Sequence, residues 1–509
     1  MLFQTWSFLI FFLIAYPLYL LVKGTKLRLP WLLVTSYAFY AWLDWRYLIP
    51  IAYVSVVDFF VVARMARSEK KKRWLWVSIV NSLVLLGVFK YGQFAADNVN
   101  ALFAALRIPG RLPAPGILLP AGLSFYLFQS MGYVIDAYRG TVARETSFLR
   151  HAAFVAFFPR LLAGPIERAG NLLPQLSRTP KITASDFADG LSLFVVGLFK
   201  KVALANYLAL YVNKVYAAPT DFQAPALVLA TFLFAWQIYF DFSGYTDMAR
   251  GIAAMMGIRL MLNFNNPYLA TSLGEFWSRW HISLSSWFKD YVYIPLGGNR
   301  KGSFHTYRNI FLTMVLSGLW HGAAWTFILW GTVHALGRFA TRELERTAFY
   351  RDRVPAFVKQ VFVFAIVTFA WIFFRAATLG DAWLIVTRIF TSGLANPLCP
   401  LLAIVLIAFV RVQSGALPVD SLVAFFLCTM MLIGPIAGST ETVMLMAETL
   451  GALARLVELR SVTARLPILE LTPQERAALE LEAYEREPKP DPDVIEGAIS
   501  FRNVSVRYT

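Results

Sequence analysis

Long apolar runs that are almost free of charged residues recur along the chain, with short polar loops between them. About 20 apolar residues in a helix cross roughly 30 Å of hydrocarbon. The pattern therefore predicts an all-α polytopic membrane protein, whose first run is a retained helix rather than a signal peptide. The clearest runs are residues 3–22, 74–95, 117–134, 188–212, 224–243, 308–335 and 358–375.

Two segments depart from this pattern. Segment 154–168, FVAFFPRLLAGPIER, is apolar but contains Pro159 and Pro165, which interrupt helical hydrogen bonding. Irregular backbone at membrane depth is tolerated only inside protein or beside a water-filled cavity, so we expect a re-entrant segment. Between residues 275 and 293, aromatic and apolar residues recur at helical spacing with charges between them. This spacing predicts helices in the membrane interface or around a partly aqueous cavity.

Composition and charge agree with a membrane protein. Hydrophobic residues make up 58% of the 509-residue chain and charged residues 15%, whereas soluble domains have about 25% charged residues. The net charge of +16 comes from basic residues grouped in loops between apolar runs. Basic loops between membrane spans face the cytoplasm and set the orientation of the helices. This role accounts for the positive charge, so we expect no nucleic-acid partner. Whether some of these charges also attract an anionic cytosolic donor remains open. The cysteines, Cys399 and Cys428, form no metal-binding pattern, and we expect no metal.

The stretch SGLWHGAAWTF places His321 in a run that is otherwise apolar or small. An ionisable residue is expensive to keep inside a membrane helix and is a functional-site hypothesis by default. Imidazole takes up and returns a proton near neutral pH, so His321 could deprotonate a hydroxyl during acyl transfer to an alcohol. The alternative is a neutral histidine that hydrogen-bonds a neighbouring helix.

A second polar and aromatic cluster, FWSRWHIS, contains His281. His334 lies thirteen residues after His321, about 20 Å away on a straight helix, and is not expected in the same site. His151 and His305 are predicted to lie in loops. We expect two catalytic histidines and five residues that bind substrate or line a tunnel: His321 and His281, then Asp247, Arg250, Glu275, Arg279 and Trp320.

Five motifs, in the same order, resemble the membrane-bound O-acyltransferase (MBOAT) family, in particular its alginate O-acetylation branch. The resemblance covers about residues 1–392. The motifs are LPAGLSFYLFQSMGYVIDAYRG, FFPRLLAGPIER, YFDFSGYTDMARGIAAMMGIRLMLNFNNPY, EFWSRWHISLSSWFKDYVYIPLGGNR and LSGLWHGAAWTFILWGTVHAL.

This resemblance implies a helical bundle around a tunnel that joins the two faces of the inner membrane. It implies acetyl-CoA as a cytosolic donor substrate, with no bound cofactor. The essential family histidine falls on His321 and the other motif histidine on His281. Acetyl groups would pass outward, usually through extracytoplasmic acetyltransferase partners, to hydroxyls of an exported polysaccharide.

The C-terminal part of the chain resembles a different family. Residues 393–460 are similar to the last transmembrane helix and cytosolic extension of a cyclic-peptide-type ABC exporter. Residues 461–509 resemble the linker and first strand of its nucleotide-binding domain. No GxxxxGK[ST] phosphate loop occurs before Thr509, so we expect no ATP hydrolysis by this chain alone. The alternative is an ordinary charged cytosolic tail.

Three alternatives to acetyl transfer remain open. One is D-alanyl transfer from a carrier protein to teichoic acid, as in the DltB branch. Another is an inactive fusion that associates with an ABC exporter. The third is a catalytically inactive scaffold for a surface-glycan machinery. The presence of both His281 and His321 favours catalysis over a scaffold.

Overall fold

The computed structural model describes residues 1–113 and 116–393, which form 18 α-helices and no strand. The first nine helices are α1 (Trp6–Val22), α2 (Arg28–Ala41), α3 (Leu48–Arg67), α4 (Lys71–Leu86), α5 (Gly92–Ala105), α6 (Leu123–Arg139), α7 (Phe148–Ala156), α8 (Phe158–Leu161) and α9 (Ala169–Ser177). The other nine are α10 (Ala184–Phe199), α11 (Asn206–Ala217), α12 (Ala224–Met255), α13 (Leu273–Arg279), α14 (Ile282–Phe288), α15 (Ser303–His321), α16 (Trp325–Arg346), α17 (Ala356–Arg375) and α18 (Leu379–Thr391).

Five helical stretches of the described residues are long and apolar enough to cross a membrane. Two of them contain π-helical turns, Gly87–Tyr91 between α4 and α5 and Lys200–Ala205 between α10 and α11. This architecture agrees with the predicted all-α polytopic fold. The five stretches are Trp45–Arg67, Lys71–Ala105, Ala184–Ala217, Ala224–Met255 and Ala356–Arg375.

Helix α12 connects the two hydrophobic cores of the protein. Its first half, with Leu227 and Phe234, packs in a core with α11, α13 and α16 to α18. Its second half, with Met248 and Ile252, packs in a core with α1 to α3, α6 to α9 and α14. At 1.5 Å per residue, this 32-residue helix is about 48 Å long and reaches both cores.

Helices α10 and α12 approach closely because glycines face each other along their contact. A Cβ on Gly190 would lie 2.7 Å from the carbonyl oxygen of Gly251. One on Gly244 would lie 2.7 Å from the carbonyl oxygen of Gly197. On each helix the two glycines are seven residues apart, so both close contacts lie on the same face of the helix. Helices inside lipid have no hydrophobic driving force to associate, so the close packing that small residues allow stabilises such crossings.

A carboxyl group joins three helices within the first core. Asp58 of α3 is fully buried. It accepts hydrogen bonds from the hydroxyls of Ser78 on α4, at 2.6 Å, and Ser130 on α6, at 2.5 Å. Buried polar groups of this kind are retained only when they are hydrogen-bonded.

The structure corrects two expectations from the sequence. The run 308–335 is not one span, because it breaks between α15 and α16. His151 and His305 are not loop residues, since His151 is buried in α7 and His305 lies in the first turn of α15. Segment 154–168 forms short buried helices and irregular backbone, as its prolines predict. The predicted segments 393–460 and 461–509 lie outside the described residues, apart from Gly393, and their exporter resemblance stays a prediction.

Candidate active site

The break between α15 and α16 places His321 at the end of a helix. Gly322 follows in an extended conformation, and α16 begins at Trp325. A Cβ at Gly322 would collide with the ring of Phe327, so this tight reversal requires glycine. The imidazole of His321 therefore projects from a helix end rather than from the middle of a span.

Aromatic rings surround His321 on three sides. Its ring centroid lies 5.0 Å from that of Trp320, 5.1 Å from that of Trp330 and 5.2 Å from that of Phe374. Rings at such distances pack against the imidazole and restrict its rotation. His321 thus combines a proton-accepting group with an aromatic setting, and its side chain remains partly exposed.

His281 lies between α13 and α14 with a left-handed backbone, at φ 43° and ψ 53°. Its Nδ1 lies 3.3 Å from Oδ1 of Asn263, which also accepts the backbone N–H of Ser283 at 3.1 Å. Its Nε2 is buried without a partner among the described residues. Because a non-glycine residue rarely adopts this backbone, the strain together with the unused nitrogen is typical of a functional site.

Both histidines line one cavity of about 330 Å³, which we call the histidine cavity. The ring of Trp320 lies between them, with its centroid 6.0 Å from that of His281. Apart from the histidines, the walls are mostly apolar and aromatic, and Lys90 is the one other ionisable side chain among the described lining residues. Further wall residues include Ser124, Phe125, Phe242, Trp280, Trp371 and Phe374.

A second cavity of about 450 Å³ adjoins the same part of the chain, and we call it the arginine cavity. Trp277 and Ser317 line it, whereas Trp280, His281, Trp320 and His321 line the histidine cavity. Neighbouring residues of segment 277–282 and of the last turn of α15 therefore belong to different cavities. The arginine cavity carries three cations and several hydroxyls: Lys289, Arg338 and Arg342, with Ser278, Ser285, Ser286 and Thr313.

Comparisons with known proteins place this architecture in a family. Residues 141–380 match the MBOAT, membrane-bound O-acyltransferase family. The chain is 41% identical over 399 residues to the probable alginate O-acetylase AlgI of Pseudomonas aeruginosa, which covers 77% of this chain and 75% of that protein. This chain belongs to the MBOAT family.

Two further relatives extend the comparison. The probable alginate O-acetylase AlgI of Azotobacter vinelandii is 41% identical over 400 residues, covering 77% of this chain and 79% of that protein. The peptidoglycan O-acetyltransferase of Helicobacter pylori is 33% identical over 383 residues, covering 69% of this chain and 72% of that protein. The predictions of the family, of a multi-pass membrane fold and of O-acyltransferase activity are confirmed.

Within this MBOAT protein, three of the seven predicted site residues come together. His281, His321 and Trp320 line the histidine cavity. The remaining four line neither cavity. Asp247 on α12 forms an ion pair with Lys200 at 2.7 Å, and Arg250 lies 3.6 Å from the same carboxylate. Their role in binding substrate stays a prediction.

Glu275 and Arg279 pair with each other at 2.6 Å within α13. Glu275 also accepts hydrogen bonds from the backbone N–H and the hydroxyl of Thr271, both at 2.7 Å. Burial alone would raise the pKa of Glu275, but the bonds from Thr271 and Arg279 outweigh it and hold the pKa below its usual value. This carboxylate is therefore suited to a structural ion pair at neutral pH.

Two residues beside the site, Lys90 and Asn263, were not predicted from the sequence. Lys90 lines the histidine cavity, and Asn263 holds His281. His334 is buried with its ring centroid 4.7 Å from that of Trp330, which also contacts His321. His334 lies closer to His321 than a straight helix would allow, because the helix is broken, but it lines neither cavity. Lys90 is an ionisable residue inside the apolar run 74–95, so it could have been identified as a candidate functional residue by the same argument as His321.

Proposed function

We propose that this MBOAT protein transfers acetyl groups from cytosolic acetyl-CoA, across the cell inner membrane, toward hydroxyls of an exported polysaccharide of the alginate type. The names of its alginate and peptidoglycan O-acetylating relatives support an acetyl group and a glycan acceptor. The structural observation that carries the proposal is the pair of cavities, one lined by His281 and His321 and the other by neighbouring residues of the same segments. We further propose that a passage joins the two cavities.

The arginine cavity suits the donor. Arg338 and Arg342 lie on the second half of α16, which runs from the site to a basic end at Arg346. Basic ends of membrane helices face the cytoplasm, where acetyl-CoA is made available. The phosphates of CoA would bind the guanidinium groups and Lys289, because arginine pairs with phosphate through two parallel hydrogen bonds. The uncharged pantetheine arm would extend toward Trp277 and Ser317.

His321 would act as the general base. The acceptor hydroxyl gives its proton to the imidazole while its oxygen bonds to the thioester carbonyl carbon. The carbon–sulfur bond then breaks, and the leaving thiolate takes the proton back from the imidazolium. The products are an acetyl ester and free CoA thiol, and the histidine returns to its starting state.

His281 would orient the acceptor. Oδ1 of Asn263 already accepts the N–H of Ser283, so the 3.3 Å contact requires His281 to donate from Nδ1. Its Nε2 is then a hydrogen-bond acceptor, which suits a hydroxyl better than a carbonyl oxygen. Onward transfer through an extracytoplasmic acetyltransferase partner and the exopolysaccharide machinery completes the proposal.

Labelled acetyl transfer tests this function. Membranes that contain the full chain, glycan and partner proteins receive acetyl-CoA labelled in the acetyl group. We expect label in extractable glycan with the intact chain and a loss of at least about a hundredfold with His321→Ala, since general-base catalysis contributes roughly 10²–10⁴. The matched control is His305→Ala, because His305 lies in the same helix but outside both cavities.

The alternatives give different outcomes in this assay. Label from a D-alanyl carrier protein but not from acetyl-CoA would replace acetyl transfer by D-alanyl transfer. No label with any donor at equal protein levels would contradict catalysis and favour an inactive fusion associated with an exporter. Equal glycan acetylation in cells with the intact chain and with His321→Ala would indicate a scaffold.

A further inference from the structure

A π-helical turn places Lys90 against the end of the helix that carries His321. The turn Gly87–Tyr91 interrupts the helical stretch Lys71–Ala105. Single π turns inside α-helices are often found at functional sites, because they turn one side chain out of the regular register. Here the side chains of Lys90 and Tyr91 both reach the last turn of α15.

Both side chains cap carbonyl groups that the helix end leaves free. The hydroxyl of Tyr91 donates to the carbonyl oxygen of Leu319 at 2.7 Å, and Nζ of Lys90 donates to that of Trp320. Carbonyls in the last turn have no partner within their own helix, and a cation there is favourable. Capping explains Tyr91 fully. Capping also makes a cation favourable at Trp320, but it does not require that this cation line a cavity with two histidines.

The ammonium of Lys90 lacks an anion. It contacts the hydroxyl of Ser124 at 3.4 Å and lies 5.4 Å from the ring centroid of Trp320, but it forms no ion pair with a carboxylate of residues 1–113 or 116–393. Two other π-turn lysines, Lys200 and Lys201, pair with Asp247 and Asp241, whereas the exposed Lys289 has no carboxylate partner among the described residues. A charge at this depth normally pairs with an opposite charge or with backbone carbonyls, and Lys90 has the carbonyl of Trp320 but no carboxylate, so its ammonium is available to an anionic ligand.

We propose that Lys90 binds an anionic group, a carboxylate or a phosphate, of the acyl acceptor while His321 deprotonates that acceptor's hydroxyl. This inference rests on the proposed function and adds the residue that recognises the charge of the acceptor. Lys90, His281 and His321 all contact the indole of Trp320, so one sugar unit could meet all three. An ammonium has three donors and two are directed to Trp320 and Ser124, which leaves one for the ligand.

The anion belongs to the acceptor rather than to the donor. The phosphates of the proposed donor have their own cations in the arginine cavity, and the part of the donor that reaches His321 is uncharged. In the histidine cavity, most wall residues are apolar or aromatic, so a single charge pair there is stronger than it would be in bulk water. One lysine is therefore sufficient to select a charged acceptor from a neutral one.

Matched acceptors and variants of the full-length chain, assayed together with the partner proteins, test this inference. The acceptors are an oligouronate, the same oligosaccharide with its carboxyls reduced to alcohols, and a glycerol phosphate oligomer. With Lys90→Met, we expect the KM for the oligouronate to rise at least about tenfold, because a hydrogen bond to a charged group is lost. The kcat, the KM for acetyl-CoA and the KM for the reduced oligosaccharide should change little, and Lys90→Arg should restore most of the affinity.

Tyr91→Phe is the control for capping, since it removes the neighbouring cap of the same helix end without facing the cavity. We expect it to lower thermal stability about as much as Lys90→Met and to leave the ratio of the KM values for charged and reduced acceptors unchanged. A larger effect on the phosphate oligomer than on the oligouronate would assign the anion as phosphate. An equal loss with charged and reduced acceptors would overturn the inference and leave Lys90 as a cap only.

A binding measurement separates this inference from the proposed function. If the intact chain transfers acetyl to none of the acceptors, acetyl transfer fails as an activity, but binding of a fluorescent oligouronate and phosphate oligomer can still be titrated. At least tenfold weaker binding of either by Lys90→Met than by Tyr91→Phe would support Lys90 as the anion site. Equal binding by the two variants, or no binding by the intact chain, would refute it.

Discussion

The two cavities adjoin the same short segments of chain but differ in the placement of charge. In the arginine cavity, three cations accompany several hydroxyls, and the guanidinium groups are half-buried along α16. In the histidine cavity, aromatic rings enclose two imidazoles and a single lysine. The comparison teaches that the walls of the two cavities meet within about one helical turn of α15, at Ser317 and His321, whereas the cations that could bind a polyanion lie on α16 and at the end of α14.

The largest effect should follow from forcing α15 and α16 apart, because this contact supports both cavities. A Cβ at Gly318 would meet the carbonyl oxygen of Phe327, and one at Gly331 would meet that of Met314. We expect Gly318→Val to destabilise the protein by about 1–3 kcal/mol or more and to abolish transfer. Folded yield by fluorescence-detected size exclusion measures this loss.

The control for Gly318→Val is Leu316→Val, which changes an exposed position of the same helix. It should leave yield and activity near those of the unaltered chain. If Gly318→Val folds with normal yield and alters the KM of only one substrate, the contact between α15 and α16 does not support both cavities.

A more selective effect should follow from removing charge from the arginine cavity alone. We expect Arg338→Gln with Arg342→Gln to raise the KM for acetyl-CoA by about tenfold to a hundredfold, since each lost charged hydrogen bond contributes roughly 1.5–3 kcal/mol and partial compensation by Lys289 is available. Steady-state kinetics with both substrates varied would show the KM for the acceptor unchanged.

Arg346→Gln serves as the control here, because Arg346 ends the same helix in an exposed pair with Glu343. An unchanged KM for acetyl-CoA in the double variant would show that the arginine cavity does not receive the donor. The charged side chains of the arginine cavity would then contribute to stability and not to substrate recognition.

The smallest effect should come from Glu275, which belongs to α13 but lines neither cavity. Its pKa in the folded protein lies below the ordinary value of 4.5, so its ionised form stabilises the protein above about that pH. This contribution is lost as the pH falls through the lowered pKa. We expect Glu275→Gln to cost about 0.5–1 kcal/mol at pH 7 and less near pH 4.

Thermal unfolding of the intact chain and of Glu275→Gln at both pH values checks this expectation. The KM for acetyl-CoA should not change with the substitution. A clear rise in that KM would move Glu275 back into the substrate-binding group that its sequence neighbourhood suggested.

Local patterns were sufficient to predict the helical class, the family and the two histidines. The break at Gly322 was not predictable, because GAA is compatible with a membrane helix and the turn depends on packing against Phe327. The partner of Lys90 is the carbonyl of Trp320, 230 residues away, which no local pattern contains. Asp247 was placed near the site by sequence proximity, whereas α12 directs it to Lys200.

The buried carboxyl of Asp58 has a consequence for biogenesis. It is synthesised 72 residues before Ser130, one of the two hydroxyls that satisfy it. At about 5–20 residues per second, that interval is about 4 to 14 s. During this time the carboxyl group of Asp58 lacks one of its two hydrogen-bond donors. We therefore expect α3 to stay beside water or protein during insertion until α6 is made.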